Sequence, residues 1–176
     1  FYLYFLTSLS LSQVEIGQWD AYTSPLKVNS ITTAGDSIIC ATSGGLLIKY
    51  QDEFNTITKV DGLYGVDLFS IEKDNYHNVW IGGNSPNGFI QIYNFQKGSV
   101  EVFDYGLTNI TEFWISDSLA FAAFIDGQDV GLIKFIYDNN RWSYRDIYRN
   151  FSSSIESIFG FDILQNKEST KIFLGT

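Results

Sequence analysis

The chain has 176 residues, 45% hydrophobic and 18% charged, with 11 basic against 20 acidic side chains and a net charge of −9. That length suffices for one globular domain with a real core, and 4 Trp, 11 Tyr and 15 Phe exclude a disordered chain. The acid excess excludes a phosphate-tracking surface, which needs a local surplus of Lys and Arg, so no nucleic-acid partner is expected.

The chain opens Phe1-Tyr2-Leu3-Tyr4-Phe5-Leu6, grades into Thr7-Ser8-Leu9-Ser10, and contains no Met. An apolar centre running into small residues is the pattern of a secretory signal without its charged start. Residues 1–12 are therefore expected to be a signal-peptide remnant, with a buried first strand or part of a membrane anchor as alternatives. The final run, Ile172-Phe173-Leu174-Gly175-Thr176, stops inside a strand-like segment. Both ends read as cut. The expectation is a fragment over residues 13–176, taken from a larger extracytoplasmic protein and touching a membrane only through other regions. The single Cys40 cannot form an internal disulfide and leaves the compartment open. Asn109-Ile110-Thr111 and Asn150-Phe151-Ser152 match the glycosylation acceptor pattern, which is short enough to arise by chance.

Residues 14–22, with Trp19-Asp20-Ala21-Tyr22, alternate like an outer strand that has no unit of its own before it. Beyond them the chain repeats. Gly45-Leu46-Leu47-Ile48, Gly88-Phe89-Ile90-Gln91 and Gly131-Leu132-Ile133-Lys134 recur at steps of 43 residues. A second anchor precedes each pair: Ile39-Cys40-Ala41-Thr42, Trp80-Ile81-Gly82-Gly83 and Ala120-Phe121-Ala122-Ala123, then finally Phe173-Leu174-Gly175-Thr176. The last step between anchors is 53 residues, longer than the others, which suggests an insertion within 138–154.

Each unit reads as four short strands. In the second, 67–72, 79–82, 88–93 and 100–103 are separated by polar turns rich in Asn, Asp, Gly and Pro. No window keeps a capped helical period, and 144–158 reads as loop or strand. Four-strand units at this spacing predict an all-β fold, a partial β-propeller of four-stranded antiparallel blades. The expected blades are 28–62, 63–106 and 107–151, with an incomplete one at 154–176. Aromatic side chains would fill the wedge between blades, while Gly82, Gly83, Ala122, Ala123 and Gly175 would suit crowded inner strands. Trp80, Phe69, Ile81, Ile90 and Phe121 are expected to be buried.

The run Ser70-Ile71-Glu72-Lys73-Asp74-Asn75-Tyr76-His77-Asn78-Val79-Trp80-Ile81-Gly82-Gly83 resembles the repeat of bacterial two-component-regulator propellers. Asp61-Gly62-Leu63 and Phe173-Leu174-Gly175-Thr176 fit the same pattern, whereas the first and third units lack its Trp-bearing strand. The resemblance implies an exported propeller, either the sensor region of a hybrid histidine kinase or a surface-associated protein. The opening Ile16-Gly17-Gln18-Trp19-Asp20-Ala21-Tyr22 is similar to the latter group, which includes a component linked to type IX secretion.

No residue is assigned a catalytic, cofactor-binding or metal-binding role, and no cofactor is expected. His77 is the only histidine, which excludes mechanisms needing two imidazoles and weighs against a lyase of the virginiamycin B type. It reads as an exposed turn residue. Asp74, Asn75 and Asn78 lack the acidic density of a calcium loop, and such residues cap tight turns through their own backbone. Asp126-Gly127-Gln128-Asp129 reads as a hairpin tip and Asp52-Glu53 as a solvated loop, since paired acids for sugar chemistry must face one another. Gly44-Gly45 lacks the Lys-Ser/Thr and helix of a phosphate loop. The four Trp are read chiefly as blade fillers, with a glycan platform as the minor alternative. The function expected is a non-catalytic module for ligand sensing or for protein or polysaccharide interaction. The alternative is a propeller-type lyase or glycoside-acting enzyme whose active residues lie elsewhere.

Overall fold

The computed structural model describes residues 23–149, 151, 160–165 and 170–175, so the expected signal remnant and the outer strand at 14–22 lie outside the described residues. Three four-stranded antiparallel sheets follow one another, each built from strands adjacent in sequence. The first contains β1 (Val28–Ala34), β2 (Ser37–Thr42), β3 (Gly45–Tyr50) and β4 (Glu53–Ile57). The second contains β5 (Leu68–Lys73), β6 (Val79–Gly83), β7 (Gly88–Asn94) and β8 (Gly98–Leu107). The third contains β9 (Asn109–Ile115), β10 (Leu119–Asp126), β11 (Asp129–Asp138) and β12 (Arg141–Arg149). A further pair, β13 (Gly160–Gln165) and β14 (Thr170–Gly175), is also antiparallel. Among the described residues no strand of one sheet is hydrogen-bonded into the next.

Tight turns explain why consecutive strands pair. Asn139 and Asn140 both adopt positive φ, 51° and 60°, the conformation that a two-residue hairpin needs to match the strand twist. That hairpin is closed directly by Asp138 opposite Arg141, so it holds no insertion. Part of the extra length of the third unit lies in its strands, since β10, β11 and β12 have 8, 10 and 9 residues, and residues 150 and 152–154 of the expected insertion lie outside the described residues. Residues 144–149 continue β12 rather than forming a loop.

The first strand of each sheet carries a bulge at the same place. The register slips between Val28 and Ser30, between Leu68 and Ser70, and opposite Ala123 and Phe124 at Thr111. The residue after each bulge then reaches the next sheet. Ser30 Oγ accepts from the Ile71 N–H at 3.4 Å, Ser70 Oγ donates to the Ile110 carbonyl at 3.1 Å, and the Glu112 carboxylate faces the Phe161 N–H. These links seat the first strands beside one another.

Side chains alternate across each sheet, and both faces of the second and third sheets are covered. Ile39, Ala41 and Leu46 of the first sheet pack on Leu68, Ile71, Ile81 and Phe89 of the second. The opposite face of the second sheet, with Trp80, Ile90 and Ile92, meets Ile110, Phe113, Phe124, Phe135 and Trp142. Beyond that, Phe121, Leu132 and Val130 meet Ile163, Phe161 and Leu174. Double coverage is why β6 and β7 are buried along their whole length and read as continuous apolar runs. Trp80, Ile81, Ile90 and Phe121 are buried as expected. Phe69 is a correction, being only half-buried. It is the unpaired residue of the β5 bulge, and its ring lies beneath the Lys27 ammonium instead of inside a core.

The close approach of first and second strands leaves no space for side chains at Gly82. A Cβ there would sit 2.2 Å from Ser70 Oγ and 2.7 Å from the Ile110 side chain. Gly175 is less confined, with 3.3 Å to the Gly160 carbonyl oxygen.

The two outermost faces differ from the inner ones. The first sheet turns Ile31, Ile38 and Phe54 outward, exposed by 59%, 41% and 64%, and the last pair turns out Leu164 and Phe173, each 57% exposed.

Trp80 is wholly buried and makes edge contacts with Phe113, Phe135 and Trp142 at 5.8, 5.1 and 5.0 Å between ring centroids. Its replacement by Ala should cost about 3–5 kcal/mol, read as a lower urea midpoint. An unchanged midpoint would contradict the packing described.

Candidate functional site

The turn between β5 and β6, residues 74–78, is organised by one buried carboxylate. Asp74 Oδ1 accepts the backbone N–H groups of Tyr76 and Asn78 at 2.8 and 2.9 Å, the local pattern by which Asp caps a turn. Asp74 Oδ2 accepts from Asn78 Nδ2 at 2.9 Å, Trp80 Nε1 at 3.4 Å and Trp142 Nε1 at 2.9 Å. The last of these donors belongs to the third sheet. The carboxylate therefore closes its own turn and pins the neighbouring sheet together.

Three further contacts strengthen that join. Tyr76 stacks on Tyr137 with 3.6 Å between ring centroids, and its hydroxyl donates to the Asp117 carbonyl. Asn75 Nδ2 donates to Asp117 Oδ1. The Tyr76 phenol is held above its ordinary pKa, first by desolvation and then by Tyr137, Asp117 and Asp74.

On the other side of the turn lies a cleft of about 670 Å³, formed where the β1–β2, β5–β6 and β7–β8 turns meet. Ala34 and Gly35 supply the wall from the first sheet, and Lys73, His77, Phe95 and Lys97 stand on the second. The floor is rigid because its amides are already engaged. Asn94 Nδ2 donates to the His77 carbonyl and to Asn78 Oδ1, while Asn94 Oδ1 accepts from the Gln96 and Lys97 N–H groups. His77 itself is exposed and has φ of 64°, a left-handed conformation in which His is enriched. The volume falls within the range of small-molecule sites.

Asp74, Asn75 and Asn78 thus share one turn, as a capping network. Every oxygen of Asp74 is occupied by an N–H donor, so a cation there would have to displace an intact network. Asp126 and Asp129 flank the β10–β11 hairpin tip, where Gly127 has φ of 65°, and Arg149 pairs with Asp126 at 2.7 Å. Asp52 and Glu53 are exposed at the β3–β4 turn. Trp80 and Trp142 are buried and Trp114 is half-buried against Phe121, so these three offer no flat platform to a glycan; Trp19 lies outside the described residues. Sequence reasoning missed the cleft, since Gly35, Lys73 and Lys97 come from three turns. It also missed Glu112, whose Oε2 is buried without a partner among the described residues and whose pKa is raised by desolvation, with the Phe161 N–H pulling the other way.

No protein-family model matches the sequence, and no curated protein matches it. Among solved structures the chain is similar to the "extracellular domain of the putative hybrid two component system BT3049 from B. thetaiotaomicron". The TM-score is 0.54 at 18% identity, and the alignment covers 68% of this chain and 17% of that one. The chain therefore spans under a fifth of its neighbour's length, and at this identity the likeness is one of fold.

Two outcomes follow for Asp74 and Glu112. Asp74→Ala strands the indole N–H groups of Trp80 and Trp142, at about 1–3 kcal/mol for each buried donor, so the denaturation midpoint should fall sharply. A variant as stable as the parent would refute the shared role. For Glu112 the folded pKa is raised, so its contribution to stability is complete below the ordinary carboxylate range and is lost as pH rises through the raised value. Glu112→Gln should therefore raise the melting temperature at neutral pH and leave it unchanged in acid. Equal shifts at both pH values would exclude this account.

Proposed function

We propose that this chain is part of a β-propeller in an extracytoplasmic sensing or interaction protein, built from two-component-regulator propeller repeats. The proposed blades are 28–62, 63–106, 107–151 and an incomplete unit at 154–176, preceded by a signal remnant over 1–12. The observation that carries this reading is the succession of separate four-stranded sheets with their bulged first strands side by side. Inner sheets buried on both faces support it, because a single twisted sheet cannot cover itself but a stack can. The fold likeness to a sensor's extracellular domain points the same way. In this reading the outward Ile31, Ile38 and Phe54 meet a further blade, as do Leu164 and Phe173. The working surface is the cleft rim at residues 34–35, 73–78 and 94–97, where a polysaccharide or protein ligand is met.

A structure of the intact protein tests the architecture. Further four-stranded sheets should lie against both outward apolar faces, and a helical domain on either face would overturn the propeller reading. The solution behaviour of residues 13–176 alone gives a second check. Exposed apolar faces and unpaired edges favour association, so this segment should aggregate or unfold without cooperativity. A monodisperse monomer with one sharp unfolding transition would show that it needs no neighbouring blade.

A further inference from the structure

Each complete sheet has an inner edge, seated beside its neighbours, and an outer edge formed by β4, β8 or β12. An outer edge presents a row of unpaired N–H and C=O groups, and proteins blunt such edges with bulges or charge. Two of these edges are blunted in that way. β8 loses regular register opposite Gly88–Phe89 and again opposite Ile92–Tyr93. β12 is bulged at Arg145, carries all three arginines of the chain, and spends its Ile147 N–H on Asp146 Oδ1. β4 has neither device. Its pairing with β3 runs from Glu53 to Ile57 without a break, and Glu53 is its only charged residue. Phe54 stands on this strand 64% exposed.

Glu53 faces Tyr50 across a two-residue turn. Glu53, Asn55 and Ile57 therefore bond inward to β3, while Phe54 and Thr56 turn their N–H and C=O groups outward. We infer that β4 is the contact through which two copies of this protein pair, antiparallel about a two-fold axis at Asn55. In that register Phe54 of each copy lies opposite Thr56 of the other, and each such pair exchanges both N–H···O=C bonds. The two Phe54 rings then sit diagonally across the axis, within reach of one another. The strand is suited to its own copy. Glu53 meets Ile57 rather than a second Glu53, so no like charges face one another. A slip of one residue would set outward groups against inward ones. The ladder ends at Thr58, whose N–H is already bound to Asp61 Oδ2 at 2.8 Å. So short a contact makes a weak, concentration-dependent dimer.

Sedimentation equilibrium of the intact protein tests this, over about 5 to about 500 µM, a range suited to weak contacts. A monomer should pass to a dimer as concentration rises. Thr56→Pro removes an outward N–H and leaves the β3 ladder whole, a position at which an edge strand tolerates Pro. It should weaken the dimer about tenfold or more, with an unaltered melting temperature in dilute solution. Asn55→Lys and Asn55→Glu each set like charges across the axis and should each weaken self-association several-fold. An equimolar mixture of the two should dimerise at least as well as the parent, a comparison that holds even if Thr56→Pro unfolds. Added salt should not dissociate the parent dimer, because it screens the repulsion between two chains of net charge −9. A monomer at every concentration, as when another segment covers β4, overturns the inference. A dimer that salt dissociates, or a folded Thr56→Pro that pairs as well as the parent, overturns it too. So does a mixture that associates no better than either Asn55 variant alone.

Discussion

A buried carboxylate shared by two indoles from different sheets is the constraint on which the centre of this molecule depends. Asp74 leaves water only because five N–H donors replace its hydration, three from its own turn and strand side and two from Trp80 and Trp142. Removing a polar group from water without such partners costs several kcal/mol. The arrangement is therefore mutually dependent: the carboxylate needs the indoles, and each buried indole N–H needs an acceptor. Packing reinforces it, because Trp80 and Trp142 also meet edge to face with centroids 5.0 Å apart.

The same dependence recurs at the first strands. Each bulge rotates the following polar side chain toward the neighbouring sheet, and Ser30, Ser70 and Glu112 hold equivalent places. Ser30 and Ser70 meet their partners with neutral hydroxyls. At the third position a carboxyl group does this work, so ionisation opposes burial there and the stability of that junction becomes linked to pH. A stack of this kind derives its cohesion from nearest-neighbour interfaces. The inner sheets are covered twice, and the outward Ile31, Phe54, Leu164 and Phe173 mark where that cover ends.

Rigidity and chemistry are separated at the rim. Asp74, Asn78 and Asn94 fix two turns, β5–β6 and β7–β8, through hydrogen bonds among themselves and to backbone. The lysines, Phe95 and Gln96 project from that frame without a structural task. Preorganised turns limit the entropy lost when a ligand is bound. The first sheet contributes only Ala34 and Gly35 to the wall, small residues that keep the opening wide.

The sequence by itself determined the strands, their grouping in fours and the turns that close them. These are local matters: a 43-residue period, turn residues at fixed offsets and alternating or continuous apolar runs all act over a few residues. The turn-capping role of Asp74, Asn75 and Asn78 was legible for the same reason, because an Asp binds the N–H groups two and four residues on. Only the tertiary structure decided that Trp142, 68 residues away, would share that carboxylate. It also decided that Phe69 would fall on a bulge and escape the core, and that Lys73 and Lys97 would meet across a cleft with Gly35. Each of these depends on how one sheet is seated against the next, and that seating follows from bulges and interdigitating side chains which no single repeat encodes alone.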